Sequence, residues 1–116
     1  MKNKLNIGHE ISWLNNYPND QRSYLAEVYV SVMNEDLEKL MSAWPERTTT
    51  LQVIHRMKGG LSSIGHFSLE QKIKAEETAL KLGNSSVKET NLKIIKLISH
   101  SVELIEEWLE ISGVGN

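Results

Sequence analysis

The stretch Ile94-Ile95-Lys96-Leu97-Ile98-Ser99-His100-Ser101-Val102-Glu103-Leu104-Ile105-Glu106-Glu107-Trp108-Leu109 decides the fold. Within it Ile95, Ile98, Val102, Ile105 and Leu109 recur at alternating spacings of three and four, with Lys96, Glu103, Glu106 and Glu107 among the residues between them. That period belongs to a helix with one buried seam, and a seam this regular is what packing against neighbouring helices requires. Ser86 and Glu89 form a capping box ahead of it, so the helix is expected to run from there to about Ile111.

Working back towards the N-terminus, Gly83-Asn84 stops a preceding helix expected over about Leu69 to Leu82, with Ser68 and Gln71 as its capping box. A helix before that starts between Glu46 and Thr50, where Thr49 and Gln52 offer a further capping box, and ends near Gly65. Trp44-Pro45-Glu46 separates it from a long helix that has Asn19 or Asp20 as its N-cap and reaches about Ala43. The stripe of this long helix is read as Leu25, Val28, Tyr29, Val32, Leu37, Leu40 and Trp44, over roughly 35 Å at ~1.5 Å per residue. Leu5, Ile7, Ile11, Trp13 and Leu14 suggest a short amphipathic helix within Leu5–Asn16, closed by the turn formers Asn15 to Asp20. No useful run of period-two alternation appears. The expected fold is all-α: an antiparallel up-down four-helix bundle over about 20–111, with a short extra N-terminal helix across one end and the whole of 1–116 as one domain.

Composition narrows the function. With 116 residues the chain is one domain, too small to be a kinase carrying its own nucleotide-binding domain, so ATP chemistry would have to come from elsewhere. A net charge of −2 with both signs scattered argues against nucleic acid or an anionic membrane surface as partner. The absence of cysteine excludes thiolate chemistry and disulfides. The apolar runs are short and interrupted by charge, so no membrane span is expected and a cytoplasmic monomer is the default.

The chemistry concentrates in Leu51-Gln52-Val53-Ile54-His55-Arg56-Met57-Lys58-Gly59-Gly60-Leu61-Ser62-Ser63-Ile64-Gly65. At 100° per residue, Val53, Ile54, Met57, Gly60, Leu61 and Ile64 share one arc, while Thr48, Leu51, Gln52, Lys58, Gly59 and Ser62 cluster around His55 on the other. His55 is therefore expected to be exposed. Each glycine in a helix interior costs about 1 kcal/mol relative to alanine, so two adjacent ones need a reason. Gly60 falls in the core arc, where it would let a neighbouring helix approach; Gly59 falls beside His55, where lack of bulk leaves the ring open to a large partner. Neutral imidazole, with an ordinary pKa of about 6.5, is a competent nucleophile at neutral pH.

The string His55-x-x-Lys58-Gly59-Gly60-x-x-x-Ile64-Gly65 resembles the signature of histidine-containing phosphotransfer domains, the modules of bacterial phosphorelays often found at the end of hybrid sensor kinases. The resemblance implies a four-helix bundle in which His55 accepts a phosphoryl group, Lys58 supports its charge and Gly59 keeps the surface open to a receiver domain. Expected partners are the receiver domains of a hybrid sensor kinase and of a response regulator. The chain would need no cofactor of its own, the receiver bringing Mg²⁺ and the phosphorylated aspartate. Leu51, Arg56, Gly59, Ser62 and Ser63, with neighbouring residues of the first long helix, are the expected docking surface, apolar at its centre and charged at its rim. One departure is Glu76, at a position similar domains fill with an apolar residue, although Glu77 matches their following acidic residue.

Three other readings compete. A metal site would have to draw on His9, His55, His66 and His100, but eleven residues place His55 and His66 roughly 16 Å apart along a helix, and His9-Glu10 lacks the second histidine of a zinc-protease motif. In the dimerisation helices of sensor kinases an acidic residue normally follows the phosphorylated histidine, and Arg56 stands there instead. A non-catalytic helical adaptor, offering exposed Trp, Tyr and Leu side chains to a partner, is the alternative from another class.

Overall fold

The computed structural model describes the backbone of residues 10–42 and 46–114, and the side chains of these residues as far as 111. Leu5, Ile7, His9, Ala43, Trp44 and Pro45, to which the reading above assigned roles, lie outside the described residues. Among the described residues four α-helices follow a short 3-10 helix at Ser12–Asn16: α1 over Asn19–Ser42, α2 over Arg47–Ile64, α3 over Phe67–Lys81 and α4 over Val87–Val114. Among the described residues there is no strand, and no helix is long and apolar enough to cross a membrane. The helices pack side by side in a body of 46 × 22 × 22 Å, an arrangement consistent with a bundle.

The ends of the helices follow from local chemistry. Gly65 has φ of +86°, its N–H bonds to Ser62 O at 3.1 Å and the His66 N–H to Leu61 O at 2.9 Å, the paired bonds of a Schellman cap that ends α2. Glycine is favoured there because φ of +86° is a backbone conformation that side chains rarely adopt, and a Cβ would also press on the Asn16 amide, 2.7 Å from Nδ2. The same pair of bonds, Gly83 to Leu80 and Asn84 to Ala79, closes α3. Before α4 the capping box is realised in both directions: Glu89 N–H donates to Ser86 Oγ and Ser86 N–H to Glu89 Oε1, each at 3.0 Å. The bond from the Ser86 backbone holds the Glu89 carboxyl below the usual carboxylate range.

The other two capping boxes do not form. Helix α2 starts at Arg47, and Thr49 donates to Glu46 Oε1 at 2.7 Å instead of capping Gln52. Helix α3 starts at Phe67, two residues ahead of expectation, because the cap of α2 leads through Gly65 and His66 straight into the next helix, and Ser68 falls inside its first turn.

The core is formed by Ala26, Met33 and Leu40 of α1, Val53, Ile54, Met57 and Leu61 of α2, Leu69 and Ile73 of α3, and Ile94, Ile98, Val102 and Ile105 of α4. Full burial of each large apolar side chain contributes about 1.5–3 kcal/mol. The stripe of α1 is rotated from the expected one: Ala26, Tyr29, Met33, Leu37 and Leu40 are buried, whereas Val28 and Val32 stand 39% and 43% exposed. On α4 the buried stripe centres on Ile94 rather than Ile95, because this helix meets both α1 and α3 and buries a wide arc. Polar bonds tie the layers together: Tyr29 Oη to Ser101 Oγ at 2.6 Å, Asn91 Nδ2 to Thr50 Oγ1 at 3.4 Å and Arg47 Nη1 to Leu80 O at 3.4 Å.

The 3-10 helix covers one end of the core with Ile11, Trp13 and Leu14. Tyr17 Oη donates to Ile64 O at 3.1 Å, and Arg22 Nε donates to Leu14 O and Tyr17 O at 2.9 and 2.8 Å, fixing it to α2 and α1. His66 is buried under this cap, stacked on Trp13 with ring centroids 6.0 Å apart and beside Tyr29. Burial pushes its imidazole down to about 4, against the opposing charge of Glu10 and with a small contribution from Lys72.

Candidate functional site

The rotation of α2 is set by its buried stripe. With Val53, Ile54, Met57 and Leu61 turned inward, His55 near the middle of the helix, Gly59 one turn on, and Ser62 and Ser63 in the last turn face solvent; Leu51 is half-buried, and no hydrogen bond or ion pair among the described residues engages the His55 ring. Both ring nitrogens of His55 are therefore free to meet a partner. A Cβ built on Gly59 would meet nothing within 4 Å, so the space beside this residue is open.

Gly60 departs from the expected role. It is exposed, and a Cβ there would also meet nothing within 4 Å, so no neighbouring helix uses its lack of a side chain. It borders an apolar groove between α1 and α2, lined by Leu25, Val28 and Val32 on one side and by Gly60, Ser63 and Ile64 on the other. The valines expected in the core thus form an uncovered apolar strip one helix away from His55. Ser63 Oγ donates to Gly60 O at 3.0 Å, which keeps its hydroxyl on the helix backbone.

Two ion pairs flank the histidine on opposite sides. Towards α1, Arg56 Nη2 reaches Asp36 Oδ1 at 2.9 Å, with the carboxylate buried and the guanidinium half-exposed. Towards α3, Lys58 Nζ stands 2.6 Å from Glu77 Oε1, and Lys81 Nζ stands 3.5 Å from the other oxygen of the same carboxylate. Burial alone would push the Glu77 carboxyl up; the hydrogen bond and charge of Lys58, reinforced by Lys81, outweigh it and hold the group below the usual carboxylate range. Glu76, the departure noted above, sits half-buried at the edge, 4.0 Å from Lys93 Nζ, and leaves the core side of α3 to Leu69, Ile73, Glu77 and Leu80.

Asp36, Glu77 and Lys81 are the site residues that the sequence reading did not assign. The signal was there: Asp36 and Glu77 occupy buried positions in the apolar stripes of their helices, and a carboxylate there needs a cation from a neighbouring element. Among the described residues no group of three or more histidine or carboxylate side chains could hold a metal ion. Trp13 is buried and touches the wall of the groove between α1 and α2, whereas Tyr24, Leu82 and Leu92 are exposed as the adaptor reading requires.

Set against protein-family models, curated proteins and solved structures, the chain finds no match in any of the three.

Proposed function

We propose that this chain is a phosphorelay carrier of the histidine-containing phosphotransfer type, its four helices running alternately up and down, which takes a phosphoryl group from one receiver aspartate onto His55 and gives it to another in the cytoplasm. The observation that carries the reading is His55 itself: a solvent-facing imidazole without a polar partner, in mid-helix, followed one turn later by two glycines around which space is open. A structural histidine does not need that clearance. A nucleophile that must meet the pocket of another folded domain does.

In the transfer, the lone pair of one imidazole nitrogen forms the N–P bond as the O–P bond of the receiver's acyl phosphate breaks, and the electron pair leaves with the aspartate carboxylate. The ring enters neutral and retains the proton on its other nitrogen, so the attack requires no base from this chain. Lys58 would neutralise charge on the phosphoryl oxygens, with Mg²⁺ supplied by the receiver. The groove along Leu25, Val28 and Val32 gives the docking surface an apolar centre, and Arg56 with Asp36 gives it a charged rim, with Leu51, Gly59, Ser62 and Ser63 around the ring. An adaptor could use the same groove, but that reading leaves His55 and both glycines without a task.

The test is to mix the purified chain with a panel of phosphorylated receiver domains and follow acid-labile phosphate. The expected result is label on the wild type, none on His55→Gln, and none on the wild type from ATP alone. Labelling that survives His55→Gln, or self-labelling from ATP, overturns the reading.

A further inference from the structure

Glu77 is held in an unusual way for a residue on the core side of a helix. Its side chain is 5% exposed, in the stripe of Leu69, Ile73 and Leu80, and its two oxygens face two different lysines. Lys58 comes from the neighbouring helix and is largely covered, with 20% of its side chain exposed; Lys81 comes from the next turn of α3 and is 57% exposed. One carboxylate thus serves two cations, and the cluster carries one surplus positive charge. A buried carboxylate stripped of every cation is strongly disfavoured, so a second lysine behind the first is what allows the first to leave.

We infer that Glu77 is a positioning residue that holds Lys58 in reserve beside His55 and releases it when a phosphoryl group arrives, Lys81 then taking over the carboxylate. The inference rests on the carrier reading of His55. A phosphoryl group on that ring brings up to about two negative charges within one helical turn of Lys58. Lys58 can pair closely with either Glu77 or the phosphoryl oxygens, and its departure from Glu77 is covered because Lys81 already stands at 3.5 Å from the other oxygen. No covalent bond changes in this exchange; three charged groups redistribute their ion pairs. The phosphorylated state is thereby supported by a cation that the resting state keeps out of solvent.

The experiment needs no receiver. Phosphoramidate phosphorylates exposed histidines directly, and comparison with His55→Gln assigns the signal of phospho-His55 apart from that of the exposed His100. Lifetimes of phospho-His55 are followed by phosphorus NMR in the wild type, Glu77→Gln, Lys81→Met and Lys58→Met, with the melting temperature of each. Glu77→Gln should lengthen the lifetime roughly two- to fivefold by freeing Lys58, and Lys81→Met should shorten it by a similar factor by tying Lys58 to Glu77, the size expected for a partly exposed ion pair. Both effects should vanish in the Lys58→Met background.

Loosening of α3 would move the two variants in the same direction, so opposite signs separate positioning from mere support. Changes of the same sign, or changes that persist without Lys58, overturn the inference. If Glu77→Gln does not fold, Lys81→Met and the ¹⁵N resonance of the Lys58 ammonium in the wild type decide: the resonance must move on phosphorylation of His55, and a stationary one overturns the exchange. Failure of every receiver to label the wild type would count against the carrier function, and would leave this lifetime measurement standing on its own.

Discussion

Arg56 Nη2 lies 2.9 Å from Asp36 Oδ1, so that the residue directly after the histidine neutralises an acid buried in the stripe of the neighbouring helix. This pair has an unequal consequence for its two members. Replacing Arg56 by Met should destabilise the fold by about 1–2 kcal/mol at pH 7, since it strands a buried carboxylate whose partner was only half-exposed. Adding Asp36→Asn to that variant should recover most of the loss. Urea melts of the two single variants and the double close the cycle, and a double variant less stable than Arg56→Met would contradict the pairing.

His55→Gln should leave the melting curve within about 0.5 kcal/mol of wild type, because an exposed side chain without polar partners is being exchanged. Circular dichroism and thermal denaturation check this independently of any labelling. A larger loss would make His55 a structural residue.

The two glycines should behave alike in folding and differently in transfer. Since a Cβ meets nothing at either position, Gly59→Ala and Gly60→Ala should each stabilise by up to ~1 kcal/mol through helix propensity. Gly59→Glu should fold and lose most receiver-dependent labelling, because it sets length and negative charge beside the incoming phosphoryl group. Calorimetry together with a transfer assay tests both halves, and unfolding of either alanine variant would mean that α2 is rotated from its place here.

His66 gives the fold a pH dependence on the acid side. Its imidazole titrates at about 4 in the folded chain, against an ordinary value of 6.5, so between these values the unfolded chain binds the proton and the folded one does not. The contribution is fully present above about pH 6.5 and is lost as pH falls towards 4, by roughly 3 kcal/mol across the window. The ring is faced by Tyr29, Glu10 and Lys72, of which Glu10 opposes the shift and Lys72 adds to it. His66→Phe should keep the stack on Trp13 and flatten the slope between pH 4 and 6.5. A slope unchanged in that variant would place the proton elsewhere.

Local chemistry was the legible part of the sequence. Four helices, the stops at Gly65 and Gly83 and the capping box of Ser86 and Glu89 all depend on residues within one or two turns, and all appear in the structure. The rotation of each helix was less legible. Periodicity marks an apolar arc, and in α1 the arcs through Ala26 and Met33 and through Val28 and Val32 overlap; the first faces the core. Small Ala26 permits close packing there, which a count of bulky side chains undervalues. Gly60 carries no side chain and so gives a wheel no information on which side of the arc boundary it falls. Asp36 and Glu77 read as interruptions of their stripes until Arg56, Lys58 and Lys81 stand opposite them, because an ion pair between helices has no signature in either helix alone. For the candidate site, exposure of His55 and open space at Gly59 were legible; the restraint on Lys58 was not.

The connections between helices differ in what they would tolerate. Between α2 and α3 the chain has only Gly65 and His66, with the imidazole packed beneath Trp13, so the helix bearing His55 and the helix bearing Glu77 have no slack through which to slip. Between α3 and α4 the residues Leu82 to Asn84 are exposed, and the space around Gly83 is empty. Because the chain has no cysteine, one introduced at Asn84 would be its sole thiol. A dye or a surface linker attached there would report on the molecule from a turn that bears neither the histidine nor its lysine.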